Sequence, residues 1–132
     1  QGGSQMAVTK MDHVGVMVSS LDDSLKFYQE VVGMELKDKF TIANGSITLA
    51  FLGFNGSDET ELELVYGGND DLPAEGKVNH IAFLTDDIEE EFNRLKGLDI
   101  VFISDEVVTL PNGYRNFFVQ GPDGEKVEFF KR

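Results

Sequence analysis

Asp12-His13-Val14-Gly15-Val16-Met17-Val18 is answered later in the chain by Asn79-His80-Ile81-Ala82-Phe83-Leu84-Thr85, and the two histidines lie 67 positions apart (80 − 13). A repeat on this scale is the mark of one supersecondary unit used more than once. At the same spacing Ser20-Leu21-Asp22-Asp23 meets Asp87-Ile88-Glu89-Glu90, Leu25 meets Phe92, and Tyr28 meets Leu95. The ends of the halves also correspond. Gly56-Ser57-Asp58 precedes Leu62-Glu63-Leu64-Val65, and Gly121-Pro122-Asp123 precedes Val127-Glu128-Phe129-Phe130. Glu63 and Glu128 are 65 positions apart (128 − 63), so two residues have been lost from the loops of the second half.

Each unit reads as strand, helix, then three strands. Residues 11–18 form a short apolar run rich in β-branched side chains, the pattern of a buried strand. Ser20 is placed as a helix N-cap with Asp23 three residues on, and Asp87 with Glu90 repeats the arrangement. Leu21, Leu25, Tyr28 and Val32 recur at helical spacing before Gly33, as do Ile88, Phe92 and Leu95 before Gly97. Strands are predicted over 34–42, 46–53 and 61–66, then over 99–107, 114–120 and 126–131. Asn44-Gly45, Asn112-Gly113 and Asp123-Gly124 mark turns. Residues 67–76 have linker composition. The expected organisation is an expression-tag remnant at residues 1–5, then a single α+β domain over 6–132 made of two βαβββ repeats at about 8–67 and 77–132.

A chain of 132 residues with 41% hydrophobic and 27% charged residues has the balance of a soluble globular domain. The absence of cysteine rules out disulfides, thiolate metal ligands and a cysteine nucleophile. A formal net charge of −13 argues against nucleic-acid binding, which depends on Lys and Arg neutralising phosphates. No apolar stretch reaches the roughly 18 residues of a membrane span, and the first residues do not have the pattern of a signal peptide. The expectation is a cytoplasmic protein with no membrane partner.

Two histidines are present, and both stand near the start of a half's first strand. Glu63 and Glu128 are likewise equivalent near the start of each last strand. If the repeats pack about a pseudo-twofold axis, His13, Glu63, His80 and Glu128 converge. Imidazole nitrogen with carboxylate oxygen suits a divalent transition ion. Glu61 shares a strand face with Glu63, but only Glu63 aligns with Glu128.

These residues and motifs resemble the vicinal oxygen chelate superfamily, in its glyoxalase I-like branch. The resemblance is carried by Asp-His-Val-Gly-Val at 12–16, Ser-Leu-Asp-Asp-Ser-Leu-Lys-Phe-Tyr at 20–28 and Val-Val-Gly-Met-Glu-Leu at 31–36. Glu-Leu at 63–64, Asn-His-Ile-Ala-Phe at 79–83 and Gly-Pro-Asp-Gly-Glu-Lys-Val-Glu-Phe at 121–129 complete it. It implies paired βαβββ modules forming curved mixed sheets around a metal cleft, the glyoxalase/bleomycin resistance/dioxygenase fold. It implies His13, Glu63, His80 and Glu128 as ligands of a divalent metal: nickel, zinc or cobalt first, with manganese or iron also suited. The implied activity is that of a lactoylglutathione lyase, turning a 2-oxoaldehyde–thiol hemithioacetal into a 2-hydroxyacyl thioester through an enediolate. By resemblance Glu128 is the first choice of base and Glu63 the second. Relatives are commonly homodimers, often with each metal site shared between chains.

Two positions depart from glutathione-using relatives: Met17 stands where they often carry Arg, and Gly67 where they often carry Asn. The thiol is therefore left open. Tyr114 and Arg115 are further polar candidates for the pocket, set outside the catalytic group. The alternatives are an acyl-CoA epimerase, a thiol transferase, or a non-catalytic small-molecule-binding resistance protein. A ring-cleaving dioxygenase would need a third histidine.

Overall fold

A computed structural model describes residues 9–56, 58–69 and 71–132. The segment read as a tag remnant, residues 1–5, lies outside them. Two open mixed sheets carry the structure, one for each copy of the repeat. The first contains β1 (His13–Val18), β2 (Glu35–Ile42), β3 (Ile47–Gly53) and β4 (Glu61–Tyr66) in the order β1-β4-β3-β2. The second runs β5-β9-β8-β6, from β5 (Ile81–Leu84), β6 (Val101–Phe102), β8 (Arg115–Gln120) and β9 (Lys126–Lys131), with β7 (Val108–Thr109) pairing β8. In each sheet the first strand lies parallel to the last and the remaining pairings are antiparallel.

Helices α1 (Leu21–Lys26) and α2 (Ile88–Lys96) follow the first strand of each half. The Ser20 hydroxyl accepts the Asp23 N–H at 3.2 Å, and the Asp87 carboxylate accepts the Glu90 N–H at 3.1 Å. These caps satisfy amides that have no partner within the helix. Beyond Lys26 the first helix widens to π-helical geometry over Phe27–Val32 and ends at Gly33, whose φ of 92° a side chain would resist. Leu52, Leu62 and Leu64 from the first sheet, with Phe117, Val119, Val127 and Phe129 from the second, form one core with the helical stripes. Tyr28 and Leu95 are both completely buried in it.

The strand predicted over 99–107 is broken. The Phe118 carbonyl accepts both the Ile103 and Ser104 amides, at 2.9 and 3.1 Å, while the Phe118 N–H turns to the Ser104 hydroxyl at 2.9 Å. Two residues facing one is a bulge, and it divides the run into β6 and β7.

The halves are joined by polar contacts around the helices. The Tyr28 hydroxyl donates to Glu125 Oε2 at 2.7 Å, and Arg94 donates to the Val31 carbonyl at 2.7 Å. Ser19 N–H reaches the Asp123 carboxylate at 3.1 Å. Between the free edges of β1 and β5 lies a cleft of about 310 Å³, covered by linker residues such as Leu72 and Pro73.

Candidate metal centre

The parallel pairing of first and last strands sets the site. Gly15 is in register with Glu63, and Ala82 with Glu128. Each histidine stands two residues before that position, on the same strand face as the glutamate. His80 Nε2 lies 3.0 Å from Glu128 Oε1, and His13 Nε2 lies 3.6 Å from Glu63 Oε1. Each half thus brings together its own histidine and its own glutamate. Among the described residues, no three His, Asp or Glu side chains of one chain gather as a ligand group. One chain therefore carries two separate His–Glu pairs.

Both imidazoles are held alike. His13 Nδ1 is 2.8 Å from Asp12 Oδ2, and His80 Nδ1 is 2.9 Å from Asn79 Oδ1. These oxygens only accept, so Nδ1 donates to them, and Nε2 is the ring nitrogen turned to the glutamate side. Metal-ligating histidines are oriented in this way by a partner on the other ring nitrogen. Phe51 and Phe118 meet the two rings edge-on, each at 5.4 Å between centroids. The hydrogen bond to Asp12 raises the His13 pKa above its ordinary value, with the Glu63 charge adding to it, and the same bond lowers that of Asp12. This donor chemistry fits a divalent transition ion, with two half-sites needed for a four-ligand set.

The partners Asp12 and Asn79, the ring pair Phe51 and Phe118, and Asn116 were missed by sequence reasoning. The first two pairs obey the 67-residue spacing (79 − 12 and 118 − 51), which is the signal that could have found them. Beside each His–Glu pair runs an apolar row on the same face. In the first sheet it is Phe40, Leu49, Val65 and Met17; in the second it is Val108, Phe130 and Leu84, interrupted by the buried Asn116. Phe40 at 43% and Leu84 at 73% exposure leave much of these rows uncovered.

The sequence profile of the Glyoxalase/Bleomycin resistance protein/Dioxygenase superfamily matches residues 10–129. The chain belongs to this superfamily. It is similar to uncharacterized protein YwbC of Bacillus subtilis (strain 168), with 54% identity over 93% of this chain and 98% of that one. Lactoylglutathione lyase of Neisseria meningitidis (serogroup A) is 35% identical over 91% of this chain and 88% of its own. Among solved structures, the trypanothione-dependent glyoxalase I of Leishmania major superposes with a TM-score of 0.78 at 29% identity, covering 94% of this chain and 87% of that one.

Of the other polar candidates, Arg115 leaves the site face, whereas Tyr114 packs beside the second row. Arg115 shares a strand face with the core residues Phe117 and Val119, and it donates to Glu89 on α2 at 2.6 Å and to Thr109 at 3.2 Å. It serves the helical side of the sheet. Tyr114 packs against Phe130 at 5.4 Å, with the Arg132 guanidinium 5.4 Å from its ring. Gly67 has a φ of +99°, and a Cβ there would collide with the Ser46 carbonyl oxygen. Any side chain here, asparagine included, would require the backbone at Ser46 to shift.

Proposed function

We propose that the protein is a glyoxalase I-like metal-dependent lyase, acting on the hemithioacetal of a 2-oxoaldehyde and a thiol to give a 2-hydroxyacyl thioester. The observation that carries this reading is the pair of repeat-equivalent His–Glu half-sites, each with Nε2 turned to its glutamate and Nδ1 held from behind. Its similarity to lactoylglutathione lyase of Neisseria meningitidis supports the reaction class. His13, Glu63, His80 and Glu128 would hold a nickel, zinc or cobalt ion. Such an ion supplies Lewis acidity toward the vicinal oxygens of the substrate. The work left to the chain is proton transfer. A carboxylate takes the proton from the carbon bearing sulfur, the electron pair passes into an enediolate, and the same carboxylate returns the proton to the neighbouring carbon. The hydroxyl proton moves between the two oxygens, so the reaction is an internal redistribution with no external oxidant.

A second copy of the chain completes the ligand set in this reading. Each chain offers two donors per half, and the rows beside them are only partly covered in the single chain, with Phe40, Val108 and Leu84 exposed. A homodimer that sets the first half of one chain against the second half of its partner supplies four ligands and covers both rows. Two departures separate the reaction from its thiol. Met17 carries no charge to meet a carboxylate, and Gly67 carries no amide.

Metal analysis of protein purified without chelator tests the reading, followed by turnover of methylglyoxal with several thiols on nickel-, cobalt- and zinc-loaded protein. Stoichiometric metal and thioester formation are expected. Absence of bound metal, with no activity gained on adding any of the three ions, would refute the lyase and favour a protein that only binds its small molecule.

A further inference from the structure

The two glutamates have unequal surroundings. Glu128 is 5% exposed, and Asn116, 8% exposed on the neighbouring strand β8, donates its side-chain N–H to Glu128 Oε2 at 2.8 Å. The other oxygen, Oε1, faces His80. In the first half the residue equivalent to Asn116 is Leu49 (116 − 67), which has nothing to donate. Among the described residues Glu63 accepts no hydrogen bond, and it lies 3.6 Å from His13 Nε2. Space differs as well. A Cβ on Gly15 would lie 3.1 Å from Glu63 Oε1, so its absence opens room beside that carboxylate. Ala82, in register with Glu128, has its methyl at the corresponding place.

A carboxylate anchored by one oxygen to a buried amide keeps a single orientation, whereas one without such a bond is free to rotate. We propose that Asn116 is a positioning residue that holds Glu128 as a fixed ligand and leaves Glu63 as the carboxylate that moves. The inference rests on the lyase reading above and deepens it, and it reverses the order of bases that resemblance implies. Glu63 then takes the proton of the carbon bearing sulfur as that C–H bond breaks and its electron pair enters the enediolate. It delivers the same proton to the adjacent carbon and is restored as a carboxylate.

Cobalt(II) titration of the full chain and of Asn116→Leu and Asn116→Asp tests the positioning role, read by the visible ligand-field spectrum and by competition with a chromogenic chelator. Both variants are expected to bind cobalt about tenfold or more weakly, with a changed spectrum; circular dichroism checks that each is folded. Glu63→Gln and Glu128→Gln then separate the roles. Glu63→Gln is expected to keep cobalt bound, with a smaller loss of affinity than Glu128→Gln, while turnover of methylglyoxal hemithioacetals of glutathione, cysteine and coenzyme A falls about 10²-fold or more. Glu128→Gln is expected to lose cobalt affinity. An unmoved spectrum and affinity in both Asn116 variants overturns the proposal alone, as does the opposite pattern for the two glutamates. A wild-type chain that takes up no cobalt overturns the lyase reading and the proposal together.

Discussion

Removing one oxygen atom from Tyr28 tests how the two halves are fastened. Tyr28 is fully buried, and its hydroxyl is 2.7 Å from Glu125 Oε2; Glu125 Oε1 is already engaged by the Asp123 N–H at 2.8 Å. Tyr28→Phe keeps the ring against Phe27 and Phe83 and deletes only this link. A hydrogen bond to a carboxylate contributes about 1.5–3 kcal/mol net, and the lost partner leaves a buried acceptor poorly satisfied. A loss of about 2 kcal/mol is expected. With an unfolding entropy of about 2.1 cal/mol/K per residue, that corresponds to a fall in Tm of roughly 7 °C for a chain this size. The chain contains no tryptophan, so urea unfolding is best followed by far-UV circular dichroism. A double-mutant cycle with Glu125→Ala isolates the pair. A coupling below about 0.5 kcal/mol would refute the claim that this bond fastens the halves. The pH dependence gives a second reading. Burial, reinforced by Glu125, holds the Tyr28 hydroxyl well above the ordinary tyrosine value of 10.0. The contribution of a group raised in this way is complete below the unfolded value and is lost as pH rises through the folded one. The gap in stability between wild type and Tyr28→Phe should therefore close progressively above about pH 10.

In the metal-free protein, NMR titration should find His13 with a pKa above 6.5, and Asp12→Asn should bring it down. The sign follows: protonated His13 stabilises the metal-free fold below the unfolded value, and that contribution is lost as pH rises through the folded one. Mixing inactive His13→Ala with inactive His80→Ala should restore up to one intact site per heterodimer if the site is shared; no recovery after subunit exchange would place it within one chain. Leu64→Ala, at a fully buried position, should cost about 2–5 kcal/mol in urea unfolding. Gly67→Ala should cost about 1–3 kcal/mol from its positive φ alone, with the collision at Ser46 adding to it.

The architecture was legible because its repeat is contiguous and its caps and turns are local. Ser20, Asp87 and Gly33 act within a few residues of themselves, so their roles can be read along the chain. The break at Ser104 could not be read that way, since it depends on Phe118 across the sheet. Tyr28 has a helical spacing that assigns its ring to the core, but the partner of its hydroxyl lies 97 residues away. The repeat drew attention to both His–Glu pairs and preferred Glu63 to Glu61; in the folded chain Glu63 is the glutamate that faces His13. The same symmetry hid Asn116, because its counterpart Leu49 shares none of its chemistry. A search for matching residues passes over the position where the copies have diverged.

The half-sites also bear on mass action. Two donors in one half hold an ion weakly, and four hold it well. If a second chain completes the set, ion binding and chain association become one linked equilibrium, and each must strengthen the other by the same factor. Dilution would then strip metal from the protein, and chelation would pull the subunits apart. The free metal concentration would set how much of the chain is assembled, and assembly would set how much metal it retains.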